Sequence, residues 1–240
     1  MGNQRVYYQV VGEGDPIILV HGLSASSRWW VRNVPALAEH YCVYLVDLPG
    51  FGMMRSFFYP FALDNVTSWL LAWMEAVGLK QAHFVGHSMG GYICVSVAAQ
   101  RPEVVRGLVL VCAAGLPGER ALLGYLVPML RMICYVTPSF LPVLFYDALR
   151  AGPLMFLRAA RDLLNKDMHD LLASVAVPTL LIWGENDTLV PAAFGDILRQ
   201  EIASSRLLVL KKAGHVVMYD RWREFNAAIL AFLAGETVGN

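Results

Sequence analysis

The chain predicts an α/β fold: a mostly parallel central sheet with helices on both faces and a predominantly helical cap insertion. Three observations carry this. Short all-apolar runs such as Ile17–Val20, Val43–Val46 and Leu108–Val111 have the composition of strands covered on both faces. Stretches of helical apolar spacing separate those runs, and such alternation specifies parallel strands joined by helical crossovers. From Gly115 to Leu172 the alternation stops, and that segment carries five prolines and many large apolar side chains.

Taken in order, Val6–Val11 reads as an opening strand, Gly12-Glu13-Gly14-Asp15-Pro16 as a turn, and Ile17–Val20 as the second strand. Trp29, Trp30, Val34, Leu37 and Ala38 recur with helical spacing. The strand Val43–Val46 ends in the turn-rich Asp47-Leu48-Pro49-Gly50-Phe51-Gly52, and Val66–Val77 forms a helix with Trp69, Leu70, Trp73 and Val77 on one face. A strand over Ala82–Val85 precedes a helix over Met89–Ala99, and Leu108–Val111 follows. After the middle segment come a strand at Thr179–Trp183, a helix over Ala192–Ile202, a strand at Leu207–Leu210 and a last helix from about Asp220 to Leu233. The expected organisation is a core of residues 1–114 and 173–240, with residues 115–172 as a cap at the strands' carboxyl edge, where open α/β sheets bind ligands.

Composition narrows the function. The 240 residues hold 19 basic and 19 acidic side chains, giving zero net charge. No basic tract stands out, so nucleic acid is not an expected partner, because phosphate binding needs clustered positive charge. The chain is apolar, at 57% hydrophobic residues and a mean hydropathy of +0.49. No uninterrupted apolar run looks like a membrane span, and MGNQRVYYQV has no signal-peptide core, so a cytoplasmic protein is expected. Cys42, Cys94, Cys112 and Cys134 have neither paired nor metal-ligand spacing and read as reduced thiols. No metal or cofactor is expected.

The chemistry starts at Gly86-His87-Ser88-Met89-Gly90, which lies between an apolar strand and a helix. A serine between glycines at that junction can occupy a sharp turn that projects its Oγ clear of the sheet. A serine hydroxyl needs a base to remove its proton and a third group to orient the base. His215, in Lys212-Ala213-Gly214-His215 after a strand, is the candidate base. Asp187, in Gly184-Glu185-Asn186-Asp187 after another strand, is the preferred acid because it lies further into its loop, with Glu185 as the rival. Two N–H donors should hold the developing oxyanion. Met89, at the start of its helix, supplies one, and Leu23, in His21-Gly22-Leu23-Ser24, supplies the other. His21 is expected to brace that loop and His87 to line or pack against the site, while His40, His83 and His169 receive no catalytic role.

These pieces together resemble the α/β-hydrolase fold superfamily, in particular a serine carboxylesterase or lipase-like member with an inserted cap. The resemblance runs over nearly the whole chain through His21-Gly22-Leu23, Asp47–Gly52, Gly86–Gly91, Gly184–Asp187 and Gly214-His215, with the triad in the order Ser, Asp, His. Serine at position 88 departs from the aspartate nucleophile of haloalkane dehalogenases and epoxide hydrolases. A milder departure is Met53-Met54-Arg55-Ser56 after Gly52, where related sequences often place a small or acidic residue and then a serine.

The expected reaction is hydrolysis of a small hydrophobic carboxylic ester of short to medium acyl chain through an acyl-enzyme. The apolar cap supplies the candidate substrate contacts Leu126, Met129, Phe140, Leu144 and Phe145, with His87 and Val216 beside the triad. The same cap offers a possible contact with a lipid interface. Alternatives on the same triad are a carbon–carbon bond hydrolase, a lactonase or a cofactor-free perhydrolase, and, from a different class, a non-catalytic ligand receptor.

Overall fold

The computed structural model describes residues 5–55, 61–117 and 122–236. Among them the sheet has seven strands: β1 (Tyr8–Val11), β2 (Asp15–Val20), β3 (Tyr41–Val46), β4 (Ala82–His87), β5 (Val105–Val111), β6 (Thr179–Gly184) and β7 (Ser205–Leu210). Their spatial order is β1-β3-β2-β4-β5-β6-β7. Only β1 runs antiparallel, against β3. The other neighbours are parallel. The four middle strands β2, β4, β5 and β6 are almost wholly buried, as continuous apolar runs require when helices cover both faces.

The helices of the layers are α1 (Val34–Ala38), α2 (Leu63–Ala76) and α3 (Met89–Gln100). Next in the chain come α4 (Leu126–Ile133), α5 (Leu141–Leu164) and α6 (His169–Leu172), which form the helical insertion between β5 and β6. The chain then adds α7 (Ala193–Glu201), α8 (Val217–Asp220) and α9 (Trp222–Leu233). Helix α3 is buried nearly all round, because it packs between the sheet and α2.

Several elements differ from their sequence-based outlines. Asp15 and Pro16 belong to β2 rather than to the preceding turn, since they pair with Tyr41 and Cys42 at the outer end of β3. The helix expected across Trp29–Ala38 divides into a 3₁₀ turn at Ser27–Trp30 and the short α1, because Pro35 suits only a helix's first turn and forces a new start at Val34. The last helix starts at Trp222 rather than at about Asp220, because Arg221, with φ −123°, is non-helical and separates it from α8. No uninterrupted apolar run is expected to span a membrane; Pro138–Leu164 is long and apolar enough to do so by length and composition, but Asp147, Arg150, Arg158, Arg161 and Asp162 interrupt it. That stretch is not one regular helix, since Gly152 sits at φ 76° just before Pro153 and kinks α5. All four cysteines are free thiols.

Candidate active site

Strand β4 runs directly into the serine. Ser88 has φ 54° and ψ −117°, a conformation that costs a non-glycine residue about 1–3 kcal/mol. The surrounding backbone over-determines it: Ser88 N–H donates to Val111 O (2.9 Å), and its carbonyl accepts from Gly91 N (2.9 Å) and Ala114 N (3.1 Å). The glycines at 86 and 90 allow the close approach this turn needs. A Cβ on Gly86 would meet Gly90 O and Cys94 Sγ, and one on Gly90 would meet Val20 O and His21 O. Ser88 is thereby held at the carboxyl edge of the sheet, with Met89 N–H at the first position of α3, where a helix has no internal acceptor.

Asp187 and His215 reach the same edge from β6 and β7. Asn186 N–H donates to Ala213 O (2.8 Å) and Glu185 N–H to Leu210 O (3.1 Å), so the two loops are tied together. His215 Nδ1 lies 2.7 Å from Asp187 Oδ2, with both residues buried. The Asp187 Oδ1 accepts from Leu189 N and Val190 N, each at 2.9 Å. A carboxylate so placed requires the proton on Nδ1, which leaves the lone pair of neutral His215 on Nε2. Glu185 is engaged elsewhere, accepting from Lys212 N–H at 2.9 Å. Of the two candidate acids, Asp187 is the one brought to His215.

The loop after β2 forms the other side. His21 Nε2 accepts Leu48 N–H (2.9 Å), so its proton is on Nδ1 and is donated to Gly22 O (2.8 Å). Burial lowers its pKa, and with both nitrogens satisfied it is a brace between two loops. Gly22 passes 3.0 Å from His87 Nδ1, measured at a would-be Cβ, and Ser24 turns the loop with φ 53°. Leu23 is half-buried beside this turn. His87 Nε2–H donates to His215 O (2.9 Å), and the two rings stand 4.8 Å apart. Burial first, and His215 second, hold its pKa well below the usual imidazole value, so His87 is neutral.

Cys112 Sγ, an Asp187 oxygen and a His215 ring nitrogen lie within 4.8 Å of one another, a spacing a metal site could use. The donor chemistry does not fit one well. Burial and the Asp187 charge push the Cys112 thiol well up, and the carboxylate already accepts three N–H groups.

The insertion closes over this edge. Pro128 O accepts from Thr188 Oγ1 (2.8 Å), beside the acid. Tyr135 packs on Gly214, and Asp220 Oδ1 accepts Thr137 N–H (2.8 Å). Trp29 is the hub: its ring meets His87 (5.6 Å) and Phe140 (4.9 Å), and its Nε1–H donates to Asp147 Oδ2 (3.0 Å). Ser26 Oγ donates to the same oxygen at 2.7 Å. Sequence reading missed Asp147 and Trp29 as cap-to-core ties, although a lone acid in so apolar a stretch was the available signal.

The expected substrate contacts divide by position. Phe140 and Val216 are fully buried, Phe140 against Trp29 and Tyr219, and Leu144 is half-buried against the core. Leu126 and Phe145 are not brought to the triad side. They lie opposite the buried faces of α4 (Pro128, Met132) and α5 (Asp147, Ala151), with Met129 on the flank of α4. Ser56 lies outside the described residues.

Known proteins share this architecture. Over 250 residues the chain is 31% identical to the dihydrolipoyllysine-residue acetyltransferase component of the acetoin cleaving system of Pseudomonas putida, covering 95% of this chain but 66% of that protein. It is 30% identical to the pimeloyl-[acyl-carrier protein] methyl ester esterase of Aeromonas hydrophila, covering 92% of this chain and 96% of the relative. The structure of a bromoperoxidase from Bacillus anthracis superposes with a TM-score of 0.86 at 26% identity, covering 95% of both chains. The sequence model of the alpha/beta hydrolase family matches residues 17–228. With that match laid over a sheet of the observed order and a serine at its strand-to-helix turn, the chain belongs to the alpha/beta hydrolase family.

Proposed function

We propose that this protein is a serine hydrolase that cleaves small hydrophobic carboxylic esters through an acyl-enzyme. The observation that carries the reading is the buried 2.7 Å bond from His215 Nδ1 to Asp187 Oδ2, on the same sheet edge as the strained turn at Ser88. In this reading His215 Nε2 takes the Ser88 proton as Oγ attacks the ester carbonyl. The oxyanion is held by the N–H groups of Leu23 and Met89, each contributing about 3 kcal/mol to lowering the barrier. His215 then protonates the leaving alcohol. In the second half it takes a proton from water, the resulting hydroxide attacks the acyl carbonyl, and the acid departs as Oγ regains its proton.

The substrate class rests on the apolar character of the cap. Segment 115–172 acts as the cap, and its inward residues Phe140, Leu144 and Met155 are apolar, as is Val216 beside the base. A cap of this composition favours alkyl or aryl acyl groups of short to medium length over charged ones.

Hydrolysis of p-nitrophenyl esters of graded chain length by wild type and Ser88→Ala tests both halves. The expected result is activity on uncharged acyl groups, reduced by about 10⁴-fold or more in Ser88→Ala. Retained activity in that variant would overturn the nucleophile, and a preference for charged acyl groups would overturn the substrate class. Tight ligand binding with no turnover would point instead to a receptor on the hydrolase scaffold.

A further inference from the structure

The insertion has two faces, and only the inner one is used by the site described above. The outer face is apolar to an unusual degree. Leu149 is 81% exposed, Leu123 78%, Leu130 67%, Leu126 58% and Val127 56%, with Phe145, Leu154 and Leu157 each about half exposed. The turn Leu122–Tyr125 packs on α5 and leads into α4, so these side chains belong to neighbouring elements of one surface. A soluble monomer rarely exposes contiguous apolar area beyond a few hundred Å², so a surface of this kind has an occupant.

Charge on that face selects the occupant. Between Leu122 and Arg161 the charged residues are Arg131, Asp147, Arg150, Arg158 and Arg161. Asp147 is buried and accepts from Ser26 and Trp29, so it contributes nothing to the outer surface. Arg150 reaches inward to donate to Gly52 O (2.8 Å), whereas Arg131, Arg158 and Arg161 are exposed. In α5 beyond the Gly152 kink, Leu154, Leu157, Arg158 and Arg161 follow i, i+3, i+4, i+7 spacing and share one helical face. Arg131 stands next to Leu130 on α4. Asp162, in the last turn of α5, is half-buried and accepts Leu63 N–H at 2.7 Å, so the exposed charges of this surface are the three arginines.

We propose that the outer face of α4 and α5 is a docking surface for an anionic lipid bilayer, with the leucines entering the headgroup–acyl boundary and the arginines on lipid phosphates. Two features favour lying on the bilayer over crossing it: α5 is kinked at Gly152, and its Asp147 is bonded into the core. A second copy of the chain fits less well. A two-fold interface presents the same patch to itself, which would set arginine against arginine with no exposed acid of α4 or α5 between them.

The test is co-sedimentation of the purified protein with phosphatidylcholine vesicles and with vesicles of phosphatidylcholine mixed with phosphatidylglycerol, at low and high salt. The expected result is preferential binding to the mixed vesicles, about tenfold or more, weakened by salt. Leu130→Glu/Leu149→Glu should abolish it and Arg158→Glu/Arg161→Glu should remove the lipid preference, with circular dichroism and thermal melts unchanged because all four positions are exposed. Protein left in the supernatant with both vesicles, or equal salt-independent binding to both, would overturn the proposal. So would concentration-dependent dimerisation in sedimentation velocity that the double leucine variant abolishes. None of these readouts depends on esterase activity.

Discussion

His87 Nε2 donates to the carbonyl oxygen of His215 at 2.9 Å, so the residue before the serine holds the backbone of the histidine facing it. The bond joins the ends of β4 and the β7 loop directly, and no other pair of buried side chain and carbonyl spans those two loops so closely to Ser88 among the described bonds. Replacing His87 by Leu leaves that carbonyl buried without a donor. The expected cost is about 1–3 kcal/mol in urea unfolding, together with a lower kcat on a p-nitrophenyl ester as His215 loses its anchor. His87→Asn, which keeps a donor on a shorter side chain, should lose less on both measures.

Acid should destabilise the protein through the same residue. The pKa of His87 is depressed in the fold by burial and then by His215, and that of His21 by burial. The unfolded chain therefore binds more protons near and below pH 6.5, the ordinary histidine value, and stability falls as pH drops through that region. Urea unfolding across that range should show a shallower decline in His87→Leu than in wild type. Equal slopes would mean that His87 does not carry the effect.

Asp147 works with the opposite sign. Burial raises its pKa above the usual carboxylate value, despite the Ser26, Trp29 and Arg28 groups that favour the charge. Its proton binding favours the fold most below about pH 3.8, and that contribution is lost as pH rises through the raised value. Asp147→Asn, which stays neutral and keeps an acceptor oxygen, should therefore gain on wild type between acid and neutral pH in paired unfolding titrations. Asp147→Leu should instead lose about 1–3 kcal/mol by stranding the Trp29 N–H and the Ser26 hydroxyl.

The two acids of the β6 loop should separate cleanly in kinetics. Asp187→Asn retains shape but favours the wrong histidine tautomer, and a loss of about 10⁴ in kcat is expected. Glu185→Gln keeps an acceptor oxygen for Lys212 N–H and removes only the charge, so it should change kcat by less than about threefold. Comparable losses in both would refute the assignment of Asp187.

Glycine positions offer a packing test. Gly90→Ala drives a Cβ into the Val20 and His21 carbonyl oxygens, both rigid backbone, and should cost more than about 3 kcal/mol or prevent folding. Gly78 has φ 78° and open space around its would-be Cβ, so Gly78→Ala should cost only the local strain, about 1 kcal/mol. Thermal melts of the two variants compare crowding with conformational strain.

Much is legible in the sequence because it is local. Apolar runs such as Ile17–Val20 announce buried strands, and Gly86–Gly90 between a strand and a helix announces the sharp turn at Ser88, since periodicity and glycine spacing are written along the chain. The family resemblance and the order Ser88, Asp187, His215 followed from the same signals. Tertiary structure alone decided the rest. Asp187 and Glu185 differ by two positions in one loop, and only the approach of β7 to β6 puts one of them 2.7 Å from His215. The roles of Asp147 and Trp29, and the outward turn of Leu126 and Phe145, depend on how α4 and α5 lie over the sheet edge. Contacts between residues more than a hundred positions apart leave no periodic trace in sequence, because they are selected by packing, and packing exists only once the chain has folded.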